Sequence, residues 1–173
     1  MPELWELRDE HERPTGRFLE RGRPIPEGYW HIVVTIWTVT ADGRILLTRR
    51  HPDKHWGLCW ESTGGSVQAG ESSREGALRE LREETGLRAE ESRFRLLSSV
   101  RTDRLFLDTY LYLCPEAEPA LTLQPEEVVE ARFVRPEEME DWFPKMAPPP
   151  VERYLHDRRE IEAAAAARRK TAE

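Results

Sequence analysis

Apolar runs separated by polar turns mark the strands between residues 31 and 114. His31–Thr40 reads His-Ile-Val-Val-Thr-Ile-Trp-Thr-Val-Thr, rich in β-branched residues and apolar on both faces, which predicts a central strand. Asp42-Gly43 is a hairpin pair, so Arg44–Arg50 is expected to return as the partner strand. Phe94–Arg101, Leu105–Cys114 and the short Ala131–Val134 read as further strands. His51–Thr63 reads as a loop carrying Trp56 and Trp60. At the N-terminal end, Leu4–Arg8 and Phe18–Arg21 are expected to pair as a hairpin within residues 1–28, around a turn that includes Pro14-Thr15-Gly16. Pro24 to Gly28 then breaks the chain.

Helical signals are fewer and sharper. Ser72 with Glu75 makes a capping box and Gly86 is suited to the residue just past a helix end, which delimits a helix over 73–84. Pro136–Trp142 reads as a helix start. Pro148-Pro149-Pro150 is expected to separate it from a last helix over about 151–167, whose Ala-rich end past Ile161 is expected to fray. Strands buried on both faces with helices between them predict an α/β (α+β) fold, a mixed sheet sandwiched between helices. The 173 residues fit one domain with a core at about 30–143.

The helix over 73–84 carries the chemistry. Glu80, Glu83 and Glu84 stand at i, i+3 and i+4 and share one face over a single turn. Carboxylates this close repel, and a divalent cation keeps all three ionised where a proton would otherwise be taken up. An all-oxygen donor set suits Mg²⁺ or Mn²⁺ better than zinc. Gly64-Gly65 just upstream lets the backbone approach such an ion closely.

Gly65, Glu71, Arg79-Glu80-Leu81, Glu83-Glu84 and Gly86-Leu87 together match Gly-x5-Glu-x7-Arg-Glu-U-x-Glu-Glu-x-Gly-U, with U aliphatic, at every defined position. The chain therefore resembles the Nudix hydrolase superfamily. The likeness is complete over 65–87 and looser from about 30 to 143. It implies an α/β/α sandwich and Mg²⁺- or Mn²⁺-dependent cleavage of a diphosphate linkage in a nucleoside diphosphate joined to another moiety. It also implies that Glu80 and Glu84 are metal ligands, that Glu83 is one directly or through water, and that the Gly64 carbonyl adds an oxygen. Glu71 and Arg79 would form an ion pair holding loop to helix, with Gly65 and Gly86 shaping the backbone. The base that activates water varies within such a family. Glu80, Glu83, Glu126, Glu127 and Glu130 are all open to that role, and Glu127 is favoured because Gln124–Glu127 reads as a loop leading into the strand at 131.

Two further readings compete. Leu4-Trp5-Glu6-Leu7-Arg8, Pro14-Thr15-Gly16-Arg17 and Trp60-Glu61-Ser62-Thr63-Gly64-Gly65 resemble the isopentenyl-diphosphate isomerase branch of the same superfamily. Those isomerases place a cysteine where this chain has Gly64, and Cys59 is five residues away. A non-catalytic nucleotide-binding module is the other, at odds with the retained carboxylates.

A net charge of −7 argues against a nucleic-acid polymer or an acidic membrane as partner, leaving a small-molecule diphosphate. Cys59 and Cys114 are too few for a zinc site or a disulfide scaffold and are expected to be reduced and buried. No leader-like segment or long apolar run occurs, and the expected location is cytoplasmic. A homodimer is possible, with the N-terminal hairpin as its candidate surface. Arg49 and Arg50 end a strand near the box and are candidates to grip phosphate. Trp37, Trp56 and Trp60 could each stack on a base, and all three are expected in core or loop packing, with Trp56 kept as the candidate substrate contact. His31 is expected to satisfy a strand-edge hydrogen bond, and His51 and His55 to be exposed loop residues.

Overall fold

The computed structural model describes residues 3–172. Leu4–Arg8 (β1) and Pro14–Glu20 (β2) form the expected hairpin, with Trp5 opposite Leu19. Met1, Pro2 and Glu173 lie outside the described residues. The turn differs from expectation: Pro14, Thr15 and Gly16 are strand residues, and the reversal falls at Asp9–Arg13, where the Asp9 carboxylate accepts the backbone N–H groups of His11 and Arg13, both at 2.9 Å. An Asp that caps two N–H groups is a better turn former than a proline whose fixed φ also suits extended chain.

His31–Val39 (β3) is the central strand, and its two faces feed two cores. Ile32, Val34 and Ile36 point to one side, with Leu46, Val67, Ala77 and Leu81. Trp37 and Val39 point to the other, with Leu47, Leu111, Tyr154 and Ile161. Period-2 alternation of a strand buried on both faces thus builds a three-layer sandwich. The first core lies under Ser73–Thr85 (α1), the second under Met139–Trp142 (α2) and Pro148–Ala172 (α3).

The remaining strands are Ile45–Arg50 (β4), Trp60–Glu61 (β5), Thr63–Ser66 (β6), Phe94–Arg101 (β7), Leu105–Leu113 (β8) and Val128–Val134 (β9). β3 runs parallel to β8 along its whole length and antiparallel to β6 from Val33 to Ile36. Its expected partner β4 meets it only at Val39 and Ile45, beside the Asp42-Gly43 turn. β4 then splays away and takes β9 as its long partner, from Ile45 opposite Val134 to Arg50 opposite Val128. β9 is correspondingly longer than the four residues read from sequence. The splay opens the sheet at the His31 end of β3, where both clefts described below lie.

The end of the chain also departs from expectation. The three prolines begin α3 instead of preceding it, since the first helical turn needs no intrahelical N–H donors. Beyond Ile161 the helix is packed and not frayed. Ile161 and Ala165 are fully buried, and Arg168 donates to the Cys114 carbonyl. Small side chains let the helix lie close to the sheet there. Among the described residues no helix is long and apolar enough to cross a membrane.

Candidate active site

α1 begins and ends as its sequence requires. The Ser72 side chain accepts the Glu75 N–H, the Glu75 carboxylate accepts the Ser72 N–H at 2.8 Å, and Gly86 closes the helix at φ 76°. That left-handed conformation is one few residues but glycine adopt without cost. Arg79 ties the helix to the loop before it. Its Nε donates to Glu71 at 2.6 Å, and its Nη2 donates to Glu71 at 2.9 Å and to the Ser66 carbonyl at 2.9 Å. Burial opposes ionisation of Glu71, but the bonds from Arg79 and from the Gln68 N–H outweigh it and hold the carboxyl below its usual range.

The two glycines of the preceding strand are dictated by contact. A Cβ on Gly64 would stand 2.3 Å from the Val34 carbonyl oxygen, and one on Gly65 would stand 2.4 Å from the Glu80 carboxylate. The helix therefore lies directly against β6. The Gly64 N–H donates to Glu84 at 3.3 Å, the one hydrogen bond that carboxylate receives among the described residues.

Glu80, Glu83 and Glu84 face a cleft of about 200 Å³ that Gly64, Gly65 and Glu127 also line. Glu84 is 2 % exposed. Burial, with Glu61 and Glu80 nearby, pushes its carboxyl well above the ordinary range. Burial raises Glu80 too, and more strongly than the neighbouring Arg79 lowers it. Arg79 Nη1 donates to Glu80 at 2.8 Å and to Glu83 at 3.1 Å. Among the described residues no three acidic, His or Cys side chains are drawn together at metal-binding spacing, and the Arg79 guanidinium pairs with two of the three box carboxylates. The donors still suit a hard divalent cation in kind: oxygen only, with Glu84 buried, Glu80 partly buried and Glu83 open to solvent, and crowded with negative charge that the local cations do not fully offset.

Of the acids outside the box, Glu127 reaches the cleft, paired with Lys54. Glu126 does not line it, and Glu130 is held by Arg49 and Arg132 on β9. The two candidate arginines part because neighbours on a strand point oppositely. Arg49 turns to Glu130 and the Leu58 carbonyl, away from the site, whereas Arg50 bonds Glu61 at 2.5 Å beside a second pocket that Trp56 also lines. Trp37 and Trp60 are buried as expected. Cys114 is buried, while Cys59 is partly exposed and lines neither cleft.

Glu3, Arg21, Lys54 and Glu61 join the site without a signal in the sequence. The hairpin brings Glu3 and Arg21 to the rim of the acidic cleft, and the loop after β4 brings Lys54. Glu61 is buried beside Glu84 on a two-residue strand too short to show periodicity. His31 also departs from expectation. Its backbone N–H makes the strand bond, to the Arg104 carbonyl at 3.1 Å, but its ring stacks on Trp5 at 4.0 Å and Nε2 has no partner among the described residues.

Residues 29–158 match the NUDIX domain family. A Nudix hydrolase of Listeria monocytogenes is 36% identical over 141 residues, covering 80% of this chain and 83% of that protein. The solved structure of DR0079 from Deinococcus radiodurans superposes with a TM-score of 0.65 at 24% identity, covering 79% of this chain and 86% of that one. A bifunctional NMN adenylyltransferase/ADP ribose pyrophosphatase from Francisella tularensis, complexed with AMP and a Mn ion, gives 0.63 at 14% identity, over 82% of this chain and 44% of that one. The last two share the fold. With the domain match spanning most of the chain and a relative this similar over four fifths of it, the chain belongs to the Nudix hydrolase family.

Proposed function

We propose that this pyrophosphohydrolase uses Mg²⁺ or Mn²⁺ to cleave the diphosphate linkage of a nucleoside diphosphate joined to another group. One observation carries the reading: the crowded, unbalanced carboxylates of α1, with Glu84 buried among them, open directly against Gly64-Gly65, and the same glycines border an apolar pocket able to take the rest of a substrate. The Mn ion and AMP bound by the Francisella protein, and the ADP ribose bound by the Nudix domain of Shewanella oneidensis NrtR, agree with it.

Glu80, Glu83, Glu84 and the Gly64 carbonyl would hold the metal, which supplies charge neutralisation at the phosphate oxygens and lowers the pKa of a bound water. Arg79 engages Glu80 and Glu83 through one oxygen each, which leaves the other oxygen of each for the ion, and it keeps its bidentate hold on Glu71. Glu127 accepts the proton of the attacking water, and Lys54 keeps that carboxylate turned into the cleft. Arg21 meets the phosphate oxygens from the hairpin side.

The test is phosphate release, measured with an added phosphatase where the product is a monophosphate, from nucleoside diphosphate sugars, dinucleotides, nucleoside triphosphates and coenzyme A. Each is run with Mg²⁺, with Mn²⁺ and with excess EDTA. Turnover on one class that EDTA abolishes and Glu84→Gln lowers by about 10²-fold or more is expected. Equal turnover in EDTA or in the variant refutes the assignment.

A further inference from the structure

The second pocket, about 180 Å³, adjoins the acidic cleft through Gly64 and Gly65. We infer that it binds the base of the nucleotide between Trp56 and Arg153, and that it selects a base with a keto oxygen over adenine. The inference deepens the reading above and rests on its nucleoside part.

The walls set the kind of group. Val33, Leu107, Pro149 and Pro150 present apolar surface, which favours a flat or aliphatic moiety over a sugar. Trp56 is 41 % exposed and sits at φ 54°, a conformation bulky residues rarely adopt. Such strain persists where surrounding bonds fix it. Here Arg50 Nε donates to the His55 carbonyl at 2.8 Å, the Cys59 N–H donates to the Trp56 carbonyl at 3.1 Å, and the His55 ring lies 4.1 Å from the indole. An exposed indole on a fixed stretch of backbone, lining an apolar pocket, is a stacking surface for a base.

Arg153 sets which base. It is 7 % exposed and locked from the protein side, Nε donating to Thr109 Oγ1 at 3.2 Å and Nη2 to Ser98 Oγ at 3.2 Å, with Asp157 at 3.5 Å. Nη1 meets no acceptor among the described residues and is the nitrogen left to serve a ligand. Asp157 balances the charge, so a neutral acceptor suits the place better than a further phosphate. A guanidinium only donates. A ring carbonyl satisfies it, adenine sets an amino donor at the same ring position and must turn its ring to offer a nitrogen instead, and a prenyl chain would leave it unpaired.

Isothermal titration of the wild-type protein with the 5′-monophosphates IMP and AMP, which differ in the 6-oxo against 6-amino group and the N1 proton that goes with it and contain no cleavable anhydride, tests this. IMP is expected to bind about tenfold tighter than AMP or better. Arg153→Gln should bring the two within about twofold, and Trp56→Ala, at an exposed side chain, should weaken IMP about tenfold with the melting temperature unchanged. AMP binding as tightly as IMP, or IMP binding unmoved by Trp56→Ala, overturns the inference even if Arg153→Gln does not fold. Hydrolysis of a diphosphate lacking any base, with neither nucleotide bound, also overturns it while sparing the hydrolase. IMP selectivity in a protein that hydrolyses no diphosphate does the reverse.

Discussion

Lowering the pH from 7 to 5 should destabilise this protein through one histidine. His31 is 1 % exposed, its ring lies against Trp5 and its Nε2 has no partner among the described residues. Burial is the main cause that moves its pKa down from 6.5 to about 4, with Arg8 and Arg21 adding to it and Glu3 opposing. The unfolded chain takes up the proton near pH 6.5 and the native one only near pH 4. Between these values the unfolded state binds more protons, so stability is full above pH 6.5 and is lost as pH falls toward 4. A shift of about 2.5 units corresponds to roughly 3 kcal/mol, of which about 2 kcal/mol is gone by pH 5. Set against a typical total of about 5–15 kcal/mol, that loss is easily measured.

Carboxylates titrate nearby, so the informative quantity is a difference of differences. Urea unfolding of wild type and His31→Phe is compared at pH 7 and pH 5. Phe keeps a ring against Trp5 and removes the buried nitrogen, so the variant should lie within about 1 kcal/mol of wild type at pH 7. It should lose about 2 kcal/mol less than wild type on acidification. An acid loss equal in both proteins, within about 0.5 kcal/mol, would show that the Trp5–His31 contact does not exclude the proton and that the hairpin is not seated on β3 as described.

Three other outcomes separate the parts of the molecule. Gly64→Ala should lower stability by about 2 kcal/mol or more in denaturant unfolding, because its Cβ meets a carbonyl oxygen of the central strand, whereas Gly65→Ala meets a side-chain carboxylate that can swing away and should lower phosphate release far more than stability. Ile161→Ala should cost about 2–5 kcal/mol by the same measurement, since this fully buried side chain belongs to the second core; a change under about 0.5 kcal/mol would restore the frayed tail expected from sequence. Arg21→Ala should leave stability within about 1 kcal/mol, its pair with Glu3 being exposed, while raising KM for the diphosphate substrate in steady-state assays; an unchanged KM would remove Arg21 from the site.

What could be read from the sequence was what local chemistry fixes. The box helix was legible because Ser72, Glu75 and Gly86 satisfy its end groups by contacts within a few residues. β8 was legible because leucines and aromatics fill its run, which suits a strand. The pairing of β4 with β9 was not, since its hydrogen bonds join residues some eighty positions apart and nothing in either strand names the other. The packed end of α3 was hidden for a different reason. Alanines score as helix formers with no preferred face, so the stripe through Ile161 and Ala165 is invisible until the sheet is in place. Pro14 and Pro148 read as chain breaks from sequence but lie in a strand and a first helical turn, because a fixed φ suits either as well as a turn.

The same division separates chemistry from specificity. Every residue proposed to hold metal lies within Gly64–Glu84, on two adjoining elements locked by Arg79 and Glu71, so their geometry survives changes elsewhere in the chain. The groups that meet the rest of the substrate come from unrelated places: Arg21 from the hairpin, Trp56 from the loop after β4, Arg153 from α3. They converge because β4 leaves β3 after a single pairing and opens the sheet between them. Substitutions at Trp56 or Arg153 should therefore change which diphosphate is cleaved without changing its dependence on metal. A change at Glu84 should lower turnover by about 10²-fold or more on every substrate alike, and that contrast can be measured in one plate of substrates and variants.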